Sequence, residues 1–252
     1  MSKKGIILAG GAGSRLQPVT FCIPKSLVPL YNKPTIYYSL TTLLNQKCDD
    51  ILIICRSEFK HLFEMLLGDG KRFNVNISYA IQDEPRGLAD AYLVASKFLN
   101  GQPSTMILGD NLFVGALPIL SELAEQHDKS NCIIQVSVKD ASHYGVYNKF
   151  GNTFVEKPVV GDYKYAIPGI YYMDGNSSKN ASTLTPSKRG ELEITDLLQL
   201  YLNNDLLHIA TEKNVIWFDT GTFEDLADAS NYIRFLETKF GKKIGDPNYV
   251  NV

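Results

Sequence analysis

Two rhythms of apolar and polar positions alternate along the chain. Short unbroken apolar runs predict strands at Ile6-Ile7-Leu8, Ile51 to Ile54, Val75 to Ala80, Met106-Ile107-Leu108 and Ile133 to Val136. Unbroken runs suit strands covered on both faces. Between them the period lengthens. Leu88, Ala91, Tyr92, Ala95 and Phe98 recur at the three- and four-residue spacing of one helix face. Glu58 to Leu67 and Leu117 to Gln126 repeat the pattern more weakly. Strands alternating with helices predict an α/β fold with a doubly wound, mostly parallel, Rossmann-like sheet.

The second half is less regular. Tyr144 to Tyr147, Thr153 to Val155 and Ala166 to Tyr172 read as strands separated only by loops, so antiparallel additions are expected there. Glu191 to Leu202 predicts a helix, Val215 to Phe218 a short strand and Thr222 to Phe240 a final helix. No repeat, low-complexity tract or linker interrupts the 252 residues, so one domain over 1–252 with an elaborated second half is the simplest organisation.

Composition narrows the class. Apolar residues are 44% and charged residues 21%, globular values that exclude a disordered chain. A net charge of −2 gives no general pull toward nucleic acid or anionic membranes, so neither is expected as a partner and any phosphate recognition must be local. Cys22, Cys48, Cys55 and Cys132 form no C-x-x-C pair, and the four histidines fall at no zinc-ligand spacing. The apolar run Ile6 to Ala9 is too short for a signal peptide, and no stretch approaches the ~20 apolar residues of a membrane span. A cytoplasmic protein is expected.

Chemistry gathers after the first strand. Leu8 leads into Ala9-Gly10-Gly11-Ala12-Gly13-Ser14-Arg15-Leu16. Three glycines in four positions let backbone N–H groups turn toward an anion, and Arg15 adds a planar donor fork suited to phosphate. Lys25 and Lys33 follow. The segment is neither a Walker A loop, for want of a Gly-Lys pair, nor a dinucleotide fingerprint, because Leu16 stands where the third glycine belongs. Asp110 and Asp219 each follow an apolar strand, where open α/β sheets bind ligands. Such acids serve either as turn or helix caps or as Mg²⁺ ligands. Tyr37 and Tyr38 read as core or subunit-contact aromatics.

The Leu8 to Leu16 segment, followed by Lys25-Ser26-Leu27-Val28-Pro29 and Lys33-Pro34, resembles the signature of the sugar-1-phosphate nucleotidyltransferases. Further segments follow the glucose-1-phosphate thymidylyltransferase branch in order. They are Gln82 to Ala91, Leu108 to Asn111, Tyr144-Gly145-Val146, Glu156-Lys157-Pro158, Arg189 to Asp196 and Trp217 to Thr222. The resemblance covers nearly the whole chain. Ser14 stands where threonine is commoner. Longer members continue past this chain's end at Val252 in a tail that helps form a second, regulatory nucleotide site, so that site is expected to be missing.

The resemblance implies dTTP and glucose 1-phosphate as substrates, dTDP-glucose and pyrophosphate as products, Mg²⁺ as cofactor and a homo-oligomer, a dimer or tetramer. UTP or CTP use, or a catalytically silent regulatory homologue, are the alternatives. It also implies a nucleotide-binding half over about 1–130 and a sugar-binding half over about 131–240. Leu8, Gly10, Gly11, Gly13 and Ser14 would cradle the nucleotide. Arg15 would hold the leaving pyrophosphate and Lys25 the α-phosphate, with Asp110 and Asp219 on the metal. Gln82 has a donor and an acceptor for a pyrimidine edge. Pro85 and Gly87 would line the base, Gly87 by close backbone approach. Asn111, Tyr144, Gly145, Glu156, Lys157, Ile170 and Glu193 would serve the sugar phosphate. Glu193 and Asp196 are placed three apart on one helix face.

Overall fold

The computed structural model describes residues 3–249. The first apolar run forms β1 (Lys4–Leu8), with Ile6 and Ile7 wholly buried. A small hairpin of β2 (Pro29–Leu30) and β3 (Lys33–Pro34) leads into α1 (Ile36–Asn45). Then come β4 (Asp50–Cys55), α2 (Lys60–Leu67) and β5 (Asn76–Ile81). Two short helices, α3 (Asp90–Val94) and α4 (Ser96–Leu99), precede β6 (Ser104–Leu108) and β7 (Asn111–Gly115). After α5 (Leu120–Gln126) and β8 (Asn131–Ser137) the chain makes β9 (Gly145–Asn148), β10 (Thr153–Glu156), β11 (Tyr165–Ala166) and β12 (Ile170–Met173). It finishes with α6 (Ser177–Ala181), α7 (Ile194–Asn203), β13 (Leu207–Glu212), β14 (Val215–Asp219) and α8 (Phe223–Phe240).

The result is an α/β fold with a central, mostly parallel sheet, as the alternation of periods predicts. Two compact units interleave along the chain. The first contains 1–85, 107–114 and 216–252; the second contains 86–106 and 115–215. In the first, β1 pairs in parallel with β4, and β4 with β5, while β7 pairs with β14. Its outer layer closes around Leu16, Val28, Leu30, Tyr38 and Leu112, against which α8 packs Leu226, Ala229 and Ile233. These α8 residues lie three and four apart, one stripe of the helix. In the second unit β8 pairs in parallel with β13 and antiparallel with β11 and β12, and β9 and β10 form a hairpin. All four cysteines are free thiols. Among the described residues no helix is long and apolar enough to cross a membrane.

Several expected elements change shape. The strand expected over Ala166 to Tyr172 splits, because Pro168 has no N–H to give to a ladder and its carbonyl instead accepts from Ile170. The helix expected over 88–98 divides at Ala95, and its buried stripe ends on Leu99 rather than Phe98. α1, β7 and β13 lie outside the elements read from the pattern. α1 carries a usable signal, since Ile36, Leu40 and Leu43 keep helical spacing and are fully buried.

Candidate active site

The site of the first unit starts where β1 ends. Gly13 adopts φ +63°, the left-handed region, and a Cβ there would meet Thr20 Cγ2 at 2.8 Å. The Thr20 hydroxyl donates to the Gly13 carbonyl at 2.7 Å, tying the loop down. Ser14 to Leu16 then make one tight helical turn. Leu16 inserts into the core, which leaves the side chain of its neighbour Arg15 half exposed. Gly10 and Gly11 border the same loop, Gly10 close to the Gln82 side chain, which is buried. Leu8 closes β1, and its carbonyl accepts from Gly109 N at 2.9 Å. Pro85 is exposed.

The four charges expected to act together do converge. Lys25, at the start of a tight turn, donates from Nζ to Asp110 Oδ2, and Asp110 is 2% exposed. Arg15 Nη2 lies 3.8 Å from Asp219 Oδ2. The Asp110 carbonyl accepts both the Thr220 N–H, at 3.2 Å, and the Thr220 hydroxyl, at 2.8 Å. Those bonds bring two acids 109 positions apart in the sequence to adjacent strand ends. Burial, then the charge of Asp110, pushes the Asp219 carboxyl up to about 6. Burial alone would lower the Lys25 ammonium, but the Asp110 and Asp219 charges outweigh it and its pKa is raised.

Two neighbouring carboxylates, one buried and one partly buried, fit a hard divalent cation. Among the described residues no third histidine, cysteine or carboxylate completes a protein-only metal cage. Mg²⁺ does not need one, since it commonly takes one or two carboxylates and fills its remaining positions with water and phosphate oxygens. Asn111 also belongs here. Its Nδ2 donates to Asp110 Oδ1 at 3.2 Å, and its Oδ1 accepts from Trp217 Nε1 at 2.7 Å.

The second unit holds a separate cluster. Gly145 pairs with Glu156 across the β9–β10 hairpin. A Cβ on Gly145 would meet Thr195 Cγ2 at 3.0 Å and Glu156 Oε2 at 3.4 Å, so glycine leaves these two room. Thr195 Oγ1 donates to Glu156 Oε2 at 3.3 Å. Arg189 clamps Glu193 with three bonds, Nε to Oε1 at 3.1 Å and Nη2 to Oε1 at 3.0 Å and to Oε2 at 2.8 Å, and Ser187 Oγ adds a fourth at 2.7 Å. Arg189 also stands 3.9 Å from Glu156.

The two acids are driven apart. Burial and then the Glu193 charge raise Glu156, whereas the bonds from Arg189 and Ser187 outweigh burial and hold Glu193 low. Lys157 follows Glu156 with φ +46°, and its N–H donates to the Tyr144 carbonyl at 3.0 Å. Ile170 is buried at the start of β12.

The sequence model of the Nucleotidyl transferase family matches residues 4–234. The chain belongs to the nucleotidyl transferase family. Glucose-1-phosphate thymidylyltransferase of Xanthomonas campestris pv. campestris is 41% identical over 254 residues, covering 98% of this chain and 86% of that one. The enzyme of the same name from Mycobacterium tuberculosis is 41% identical over 253 residues, 98% and 88% of the two chains. A solved Bacillus anthracis structure assigned as a glucose-1-phosphate thymidylyltransferase, in complex with sucrose, superposes with a TM-score of 0.84 at 34% identity. It covers 92% of this chain and 96% of its own.

One expectation is corrected within this nucleotidyl transferase. Glu193 does not share a helix face with Asp196. It precedes α7 with extended backbone, ψ 139°, because Arg189 and Ser187 hold its carboxylate outside the first turn. Gly87 has φ +100°, and the backbone of Leu192 takes the space above it, with Leu192 N 2.7 Å from where a Cβ would stand. Leu192 also bonds Arg86 and Ala89, so the segment is stitched to this loop. Sequence reasoning assigned no separate role to Thr220, Trp217, Ser187, Arg189 or Thr195. Each lies within or next to a quoted motif, but its partner is distant in the chain or, like Glu193, set by loop geometry.

Proposed function

We propose that this chain is the enzyme that forms dTDP-glucose and pyrophosphate from dTTP and glucose 1-phosphate. The observation that carries this is the convergence of Arg15, Lys25, Asp110 and Asp219 at the glycine segment after β1. The relatives named for that reaction, 41% identical over 98% of the chain, support the substrate class. The reaction is an in-line displacement in which a sugar-phosphate oxygen attacks the α-phosphorus and pyrophosphate departs. It needs no protein nucleophile, only alignment of two polyanions and neutralisation of developing charge.

Lys25 is placed to steady the α-phosphate and Arg15 the departing pyrophosphate. Gln82 presents an amide donor and acceptor for the pyrimidine edge, beside Gly10. Asp110 and Asp219 would hold Mg²⁺, which when bound neutralises phosphate charge and polarises the P–O bonds. In the second unit, Lys157 offers an ammonium for the sugar phosphate, while Glu156 and Glu193 offer acceptors for sugar hydroxyls. The reading carries with it a cytosolic homo-oligomer, which sedimentation of the purified chain would test.

The deciding assay measures pyrophosphate release from glucose 1-phosphate and Mg²⁺ with each triphosphate in turn. Release is expected to be fastest with dTTP, with UTP second, because one methyl group is worth only about 1–3 kcal/mol of discrimination. Faster release with UTP or CTP moves the assignment to another nucleotide. Silence with every triphosphate removes it.

A further inference from the structure

Glycine is required at some positions by its backbone conformation, and Gly221 is not one of them. Its φ lies outside the left-handed region that disfavours other residues. The space above its Cα is nevertheless taken. A Cβ on Gly221 would stand 2.5 Å from Arg15 Nη2, 3.0 Å from Arg15 Cζ and 3.3 Å from Asp219 Oδ1. The first contact is closer than real Cβ atoms come, and the other two are tighter than nearly all of them. The atoms that fill the gap are thus the guanidinium and the carboxylate of the Arg15–Asp219 pair, 3.8 Å apart.

We propose that Gly221 is a positioning residue for the reaction: its missing Cβ is the notch that seats the Arg15 guanidinium beside Asp219. The inference rests on the role given above to Arg15, reception of the departing pyrophosphate. The guanidinium sits at the end of a flexible side chain that is 55% exposed, so an added methyl displaces it into solvent without breaking the backbone or the core. A glycine kept for the fold would behave oppositely, since its replacement would damage stability first.

The test compares wild type, Gly221→Ala, Arg15→Ala and the double variant in two measurements. The first is the side-chain Nε–Hε NMR resonance of Arg15, assigned by its loss in Arg15→Ala, recorded on ligand-free protein. It is expected to move in Gly221→Ala, while the melting temperature stays within about 2 °C of wild type. The second is calorimetric titration with Mg²⁺ and pyrophosphate. Gly221→Ala is expected to weaken binding on the order of tenfold, the effect of losing one charge-assisted contact. The double variant is expected to bind no more weakly than Arg15→Ala alone, because both changes remove the same contact.

An unmoved resonance overturns the proposal, as do losses that multiply in the double variant. An alanine variant that fails to fold also overturns it, because the role then lies in the backbone. If wild type itself does not bind pyrophosphate, the functional assignment fails, and the ligand-free resonance still decides whether Gly221 seats Arg15.

Discussion

At the scale of single residues the first unit is organised by charge. Asp110 is almost wholly buried and is offset by Lys25, while Asp219 is offset by the looser Arg15. Removing either member of the tighter pair takes away charge stabilisation from the site. Lys25→Ala or Asp110→Asn is expected to lower kcat by about 10²–10³, read by pyrophosphate release; wild-type turnover from both would remove these residues from the mechanism. Lys157 shows a different balance. A non-glycine residue at φ +46° is strained by about 1–2 kcal/mol, and under the proposed function the ammonium offered to the sugar phosphate offsets that strain. Lys157→Gly is expected to raise stability by about 1 kcal/mol in denaturant melts and to weaken glucose 1-phosphate binding. A variant that is both less stable and equally active contradicts that trade.

At the scale of elements, termini and packing contacts decide what a segment does. α8 is capped at its N-terminus by Thr222, whose Oγ1 accepts from Asp225 N at 3.1 Å and donates to Asp225 Oδ2 at 2.6 Å. Thr222→Ala is expected to cost about 1 kcal/mol, measured as a shift in denaturation midpoint at unchanged slope. In the second unit, His208 on β13 stacks on His127 at the end of α5, ring centroids 3.7 Å apart. Burial, then the His127 and Lys129 charges, depress His208 below its ordinary 6.5. Lys129 is itself paired to Asp205 at 2.7 Å. A base whose folded value is depressed keeps its full stability contribution above the unfolded value and loses it as pH falls from there through the folded value. The melting temperature of wild type is therefore expected to fall between pH 7 and 5 more steeply than that of His208→Gln. Parallel slopes would show that the stack does not contribute.

At the scale of the whole molecule, the first unit is assembled from three separated stretches, and its last stretch is structural as well as chemical. Leu226, Ala229 and Ile233 of α8 complete the core around Leu16, Leu30, Tyr38 and Leu112, and the same stretch brings Asp219. Burial of such side chains is worth about 1–3 kcal/mol each against a total stability of about 5–15 kcal/mol. A chain cut after residue 215 is expected to lose its cooperative thermal transition in near-ultraviolet circular dichroism; a native-like melt would show that the first unit closes without α8. Much of this was readable from residue order. Unbroken apolar runs demand strands covered on both faces, helical spacing demands a stripe, and clustered glycines after a strand demand a tight turn. These are local requirements, and local sequence satisfies them. The pairing of Lys25 with Asp110, the bonds from Thr220 that bring Asp219 beside Asp110, the extended backbone of Glu193 under Arg189 and the notch over Gly221 were settled only when the chain folded. Each depends on a distance between atoms held by other segments, and a linear order of residues carries no such distances.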